Sequence, residues 1–254
     1  MTRYDKLAGQ HVVIIGGTKG IGRSVAIAAA EAGAHVSIIG ATKASADATT
    51  SEIISLHPPS KVTGYHCDLG APSIENDLET LFSQLGEVNH LIYTATNSLP
   101  SRSPVQQMTA QSIDDSTTRL VAILLAIKVA SRYLVQCRRS SVTLTTGSIA
   151  DQPQPGCSLL AYAAQGLVGL TRALALDLKP IRVNIVEPGF VLNTGLWAQL
   201  TSEELEAISQ DLAQRMPTGS PGAAEDVAEA YLYCMKDHNC TGETIKTRSG
   251  QHLV

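Results

Sequence analysis

The sequence predicts an α/β fold: a single domain over residues 1–254, built on a doubly wound, seven-stranded parallel sheet. Three observations lead there. From residue 11 onward, short β-branched runs alternate with longer helical stretches, the order that gives parallel strands joined by right-handed crossovers. The 254 residues, 44% hydrophobic and 17% charged, can bury a full-sized core, and that balance excludes a disordered or fibrous chain. Aromatic residues make up only 4%, with one tryptophan and two phenylalanines. Ala, Val, Ile and Leu must therefore build the core, which suits helices packed on a parallel sheet.

The elements follow in order. HVVIIG precedes a helix to about Ala32, HVSIIG one to about Leu56, and KVTGYH one from Pro72 to Leu85. NHLIYTA leads to a long helix from about 109 to 136, SVTLTT to one from about 158 to 178, IRVNIV to one from 223 to 236, and ETIKT closes the sheet. Residues 97–108, 151–158 and 188–222 read as irregular, and all follow strands. In an open α/β sheet the ligand crevice lies outside the carboxyl ends of the strands, so these loops are expected to hold a substrate. The stretch RLVAILLAIKVASRYL is apolar on more than one stripe. We expect a second subunit to cover the surplus, giving a homodimer or homotetramer; the alternative is a helix sandwiched within the one chain.

A net charge of -4 offers no footprint for nucleic acid. The longest uncharged apolar run, Leu120 to Ile127, is far below the roughly 20 residues that span a bilayer, so no membrane partner is expected. The start, MTRYDKLAGQ, carries charge where a signal peptide needs an apolar stretch. The five cysteines show no paired metal spacing and read as free thiols of a cytoplasmic protein. The seven histidines are scattered, with His11, His35 and His90 at strand starts, so no metal site is expected.

The first strand runs into GGTKGIGRS, with Gly16, Gly20 and Gly22 spaced G-x3-G-x-G ahead of a helix. Such glycines let the backbone approach a pyrophosphate, and the helix start attracts its charge. Thr18, Lys19 and Ile21 fill the intervening positions and count as cofactor contacts. The second strand ends Ile38-Ile39-Gly40-Ala41-Thr42-Lys43. No carboxylate stands there to hold a ribose diol, while Lys19, Lys43 and Thr42 suit a 2'-phosphate, so the cofactor is NADP(H). The other reading of the two lysines is solvated surface charge. Asp68 after the third strand is placed against the adenine amino group, or else caps a helix.

Beyond the glycine loop, Cys67-Asp68-Leu69, the run GLVGLTRALALDL followed by IRVNIVEPG, Glu225-Asp226-Val227-Ala228 and Thr241-Gly242 resemble the short-chain dehydrogenase/reductase family over nearly the whole chain. The resemblance implies one NADP(H)-binding Rossmann domain, dimeric or tetrameric. It places Ala95 beside the cofactor after the fourth strand, where Tyr93-Thr94-Ala95-Thr96 replaces the family's Asn-Asn-Ala-Gly. It also implies that Pro188, Gly189, Val191 and Thr194 close over the nicotinamide, with Leu196 and Trp197 as an apolar wall for a bulky substrate or a plain helix face.

The family's chemistry rests on Asn, Ser, Tyr and Lys. Anchored on Gly169-Leu170-Thr171 and Arg182-Val183-Asn184, the tyrosine position holds Leu160, the lysine position Ala164 and the serine position Gly147; the asparagine position holds Leu120 or its neighbour Arg119. A shift by two would enlist Tyr162 and Ser148, yet Tyr162 has Gly166 at i+4 in place of lysine, and the shift turns the side chain by roughly 200 degrees. An unassisted phenol, with a pKa near 10, is poorly matched to proton transfer at neutral pH.

The pattern is similar to that of the fungal, tetrad-lacking reductases of malbrancheamide and paraherquamide biosynthesis, which couple iminium reduction to Diels-Alder cyclisation. The likeness lies in EDVAEAYLYCMKDHNCTG and the loop after Thr145-Thr146-Gly147-Ser148. It implies a substrate role for Arg119, whose other reading is a solvent or subunit contact. The loop Gln154-Pro155-Gly156-Cys157 lacks that subgroup's acid and indole, and Asp151, the nearest carboxylate, is otherwise a loop cap. Three functions follow: an iminium-type reductase, a non-redox cyclase or isomerase, or a catalytically silent NADPH-binding partner.

Overall fold

The computed structural model describes residues 4–96, 102–192, 194–197 and 200–254, with the side chains of Arg119 and Leu196 outside the description. The strands are β1 (His11–Ile15), β2 (His35–Gly40), β3 (Lys61–His66), β4 (His90–Tyr93), β5 (Ser141–Thr145), β6 (Arg182–Pro188) and β7 (Thr244–Thr247). They pair in parallel in the order β3-β2-β1-β4-β5-β6-β7, with Val12 beside both Val36 and His90. The order reverses between β1 and β4, so the crevice of an open sheet lies at their carboxyl ends.

The helices are α1 (Gly20–Glu31), α2 (Lys43–Leu56), α3 (Ile74–Leu85), α4 (Ala110–Ala130), α5 (Ser158–Asp177), α6 (Ser202–Arg215) and α7 (Ala224–Lys236). On one face of the sheet, α3, α4 and α5 bury Leu78, Phe82, Ala126 and Val168; on the other, α1, α2 and α7 bury Val25, Ala29, Ile53 and Tyr231. The expected core of small aliphatic residues is present, and alanines let α1 and α7 approach closely.

Two expectations about elements change. The long helix stops at Ala130: Leu134 is buried and bridges Val88, and Val135 N donates to Val88 O at 2.9 Å, so tertiary pairing takes the backbone that a longer helix would need. The stretch 188–222 is not wholly irregular, because it contains α6. Thr201 Oγ1 accepts from Glu204 N while Glu204 Oε2 accepts from Thr201 N, a reciprocal cap written in the sequence as Thr-Ser-Glu-Glu. Among the described helices, α5 alone has the length and composition of a membrane span, but it lies along the sheet with Ala164, Leu167, Val168 and Thr171 buried.

Candidate active site

The glycine loop is built against the end of β4. A methyl group at Gly16, where φ is +90°, would lie 2.4 Å from Ala95 N. One at Gly22 would lie 2.3 Å from Gly16 O and 2.4 Å from Thr94 Oγ1. Thr94 N donates to Ile15 O at 2.9 Å, and its hydroxyl donates toward Ile15 O and Gly16 O, each at 3.2 Å. Thr94 thus anchors the turn, a role sequence reading passed over; its only signal was a hydroxyl directly after β4. Lys19, the N-cap of α1, makes no side-chain cap, and the first turn carries no acid. Its amides are left to an outside anion. Beside it, a cavity of about 260 Å³ opens between Gly20, Arg23, Leu192 and Ala224. These features fit the pyrophosphate of a dinucleotide, with Ile21 following Gly20 in the same turn.

At the second strand, a methyl at Gly40 would lie 2.7 Å from Thr18 Cγ2, so β2 ends in glycine because Thr18 crosses it. Thr42 Oγ1 accepts from Ser45 N at 3.2 Å and caps α2. Lys43 Nζ pairs with Asp47 Oδ2 at 2.6 Å, whereas no described ion pair involves Lys19, which is exposed. Of the two lysines, Lys19 is the one uncommitted to a carboxylate, and no acidic residue intrudes at the end of β2. Asp68 does not cap α3, whose N-cap is Ser73. Its Oδ1 instead accepts from Gly70 N at 2.9 Å, closing a turn, and the residue is exposed.

The segment after β6 folds over the glycine loop. Gly189 N donates to Thr247 O at 2.9 Å, and Val191 is buried in a bridge with Gly222. Thr194 packs on Gly20, where an added methyl would meet its Cα and Cβ at 3.3 Å. Trp197 stacks on Phe190 with centroids 4.4 Å apart, and its Nε1 donates to Val191 O at 2.9 Å. Trp197 is therefore fixed to the root of this lid; the side chain of Leu196 lies outside the described residues.

The residues that the sequence register puts at the family's tyrosine, lysine and serine positions are apolar or glycine. Leu160 lines a small cleft with Met108, Cys157 and Leu159, and Ala164 is buried, its carbonyl accepting from Thr146 Oγ1 at 2.9 Å. Gly147 precedes a 3-10 turn, Ser148–Ala150. Tyr162 is 66% exposed, and the Ser148 hydroxyl is held by Gln251 Nε2 at 3.2 Å. No hydrogen bond joins these two among the described residues. Arg119 sits on α4, with its side chain outside the described residues. Asp151 is neither a bare cap nor a free acid: it pairs with Lys246 and Arg248, and Lys246's hydrogen bond holds its carboxyl below the usual range. The cleft's rim also carries Arg102, whose Nη2 donates to Gln154 Oε1 at 2.7 Å; sequence reading placed substrate in this loop without singling it out.

Comparison with known proteins agrees with this architecture. The model of the SDR-like Rossmann domain matches residues 3–254. Short-chain dehydrogenase/reductase malC of Malbranchea aurantiaca is 36% identical over 258 residues, spanning 98% of this chain and 97% of its own length. The solved structure of the MalC reductase/Diels-Alderase superposes with a TM-score of 0.90 and covers 99% of both chains. Short-chain dehydrogenase/reductase ATR9 of Stachybotrys chlorohalonatus is 35% identical over 254 residues, 97% of this chain and 98% of its own. A small-chain dehydrogenase solved in complex with NADPH, at 25% identity, gives a TM-score of 0.76 and covers 97% of this chain and all of its own. On this evidence the chain belongs to the SDR-like Rossmann domain family and is a short-chain dehydrogenase/reductase, an oxidoreductase by family.

Proposed function

We propose that the protein is an NADP(H)-dependent tailoring enzyme of specialised metabolism that reduces an iminium or similarly activated bond without a Ser-Tyr-Lys tetrad. One observation carries the reading. The glycine cradle is closely packed, whereas the residues that the sequence register puts at the proton-donor positions are Leu160, Ala164 and Gly147, and Tyr162 is 66% exposed. Carbonyl reduction needs an acid for the developing alkoxide. An iminium does not, because its nitrogen can take up the C=N electron pair without a proton; NADPH, when bound, would supply the hydride. The chain's own work is then to bind and orient. Gly16 to Gly22 and Thr94 seat the dinucleotide, Thr194 and Trp197 close over it, and Leu160, Met108 and Cys157 keep water from the reacting carbon. Arg119 is assigned to the substrate side, on the helix that supplies the family's asparagine.

A cyclase on the same fold is the second reading, favoured by MalC of Malbranchea aurantiaca being a reductase/Diels-Alderase. The substrate is a bulky apolar small molecule, and the compartment is the cytoplasm, in keeping with five free thiols. A second copy of the chain covers α4 and α5, where Val121 and Leu124 are 46% and 45% exposed. Sedimentation of Leu124→Arg against the natural chain tests that contact. For the activity, incubation with NADPH and a metabolite extract of the source organism separates the readings. A product two mass units heavier with stoichiometric NADPH loss identifies a reductase, and an isomeric product without NADPH loss a cyclase. Binding of NADPH with no product identifies a silent partner and overturns both enzyme readings.

A further inference from the structure

The cleft beside Leu160 is apolar on one side and charged on the other. Met108, Cys157, Leu159 and Leu160 supply the apolar wall, and Arg102 stands on the rim. Two hydrogen bonds close the cleft: Ser103 N to Gly156 O at 2.8 Å, and Arg102 Nη2 to Gln154 Oε1 at 2.7 Å. The space is about 10 Å³, room for one water, so a larger ligand enters only where the Ser103–Gly156 and Arg102–Gln154 contacts part. Among the described residues, no carboxylate lies within ion-pair reach of Arg102, in contrast to Arg23, Arg132, Arg215 and Arg248. Its acceptor is a neutral amide oxygen, which orients the guanidinium without cancelling its charge. Guanidinium forks favour a planar pair of anionic oxygens over an amide, so such a group on a ligand displaces Gln154 as it enters.

We infer that Arg102 reads an anionic oxygen group on an otherwise apolar substrate, so that the substrate class is a bulky hydrophobic molecule carrying a carboxylate or equivalent anion. This rests on the reading of the cleft as the substrate site. Gln154 is the positioning residue: it holds the fork open toward the apolar wall, and a carboxylate in its place would close the charge internally.

Two dyes that share one apolar body test this, 8-anilinonaphthalene-1-sulfonate and the uncharged N-phenyl-1-naphthylamine, titrated into protein saturated with NADP+. The single tryptophan, Trp197 on the lid, reports cofactor saturation separately. The natural chain is expected to bind the sulfonate about tenfold or more tightly than the neutral dye, the range of a hydrogen bond to a charged group. Arg102→Gln and Gln154→Glu should each bring the two dyes within about threefold while leaving the neutral dye unchanged, and Arg102→Lys should keep part of the preference. An undiminished sulfonate preference in Arg102→Gln overturns the inference, as does equal loss of both dyes, which would make Arg102 a wall of the cleft and no reader of charge. Failure of NADP+ to change Trp197 fluorescence would count against the cofactor reading instead.

Discussion

Arg248 Nη1 donates to Glu187 Oε1 at 2.9 Å, with the Glu187 side chain wholly enclosed and that of Arg248 6% exposed. The same nitrogen reaches Asp151 Oδ2 at 3.3 Å, and Asp151 also holds Lys246. One guanidinium thus ties together the loop after β5, the end of β6 and the loop after β7, next to Gly189. Burial pushes the Glu187 carboxyl up, the charge of Asp151 adds to this, and Arg248 opposes both. Arg248→Met should leave the enclosed Glu187 carboxylate without its ion-pair partner and lower stability by about 3–5 kcal/mol. Adding Glu187→Gln should recover part of that loss. Thermal unfolding of the single and double variants checks it; an unchanged midpoint in Arg248→Met would show that the pair does not hold these loops.

Gly22→Ala should abolish measurable NADPH binding, because the methyl would meet Gly16 O at 2.3 Å and Thr94 Oγ1 at 2.4 Å. Calorimetric titration reads the loss. Thr94→Val, which keeps the shape and removes the hydroxyl anchoring the turn, should weaken binding by about tenfold, the scale of a hydrogen bond.

Lys19→Ala should reduce the preference for NADPH over NADH by about 10- to 100-fold, the range for a charge-assisted contact, while leaving NADH affinity nearly unchanged. Lys43→Ala, already paired with Asp47, should cost less. Parallel titrations with both reduced cofactors decide it.

His90 is buried at the start of β4, where its Nδ1 meets Ser141 Oγ at 2.8 Å. Burial, helped by the charges of Arg182 and His238, pushes its pKa down to about 3 from 6.5. The native state therefore stays neutral where the unfolded chain takes up a proton. Its contribution to stability is complete above about pH 6.5 and is lost as pH falls toward about 3, by up to about 1.4 kcal/mol per pH unit. Urea unfolding across this range should show a steeper acid loss for the natural chain than for His90→Gln.

Much of this was legible in the sequence. The βα alternation, the strand ends and the glycine turn are local signals, so the seven-stranded parallel sheet and the glycine turn follow from them. The register also put Leu160 and Ala164 at the family's tyrosine and lysine positions; in the structure Leu160 lines a small cleft and Ala164 is buried. Other features depend on tertiary partners. The end of α4 is set by Val88, far away in sequence, and Thr94 matters only because β4 crosses the glycine turn. Asp151 could not be assigned before Lys246 and Arg248 were known to lie beside it. The α6 helix had a local signal in Thr201 and Glu204 that the general irregularity of the lid region obscured.

The central claim is that hydride transfer here proceeds without a tyrosine acid, and turnover of Tyr162→Phe tests it most directly. A general acid contributes about 100- to 10,000-fold to rate. With NADPH and the substrate found in the extract, Tyr162→Phe is expected to turn over within about twofold of the natural chain and to retain its oligomeric state. A loss of 100-fold or more in a folded, NADPH-binding Tyr162→Phe protein would contradict the account and make Tyr162 the proton donor of a conventional reductase.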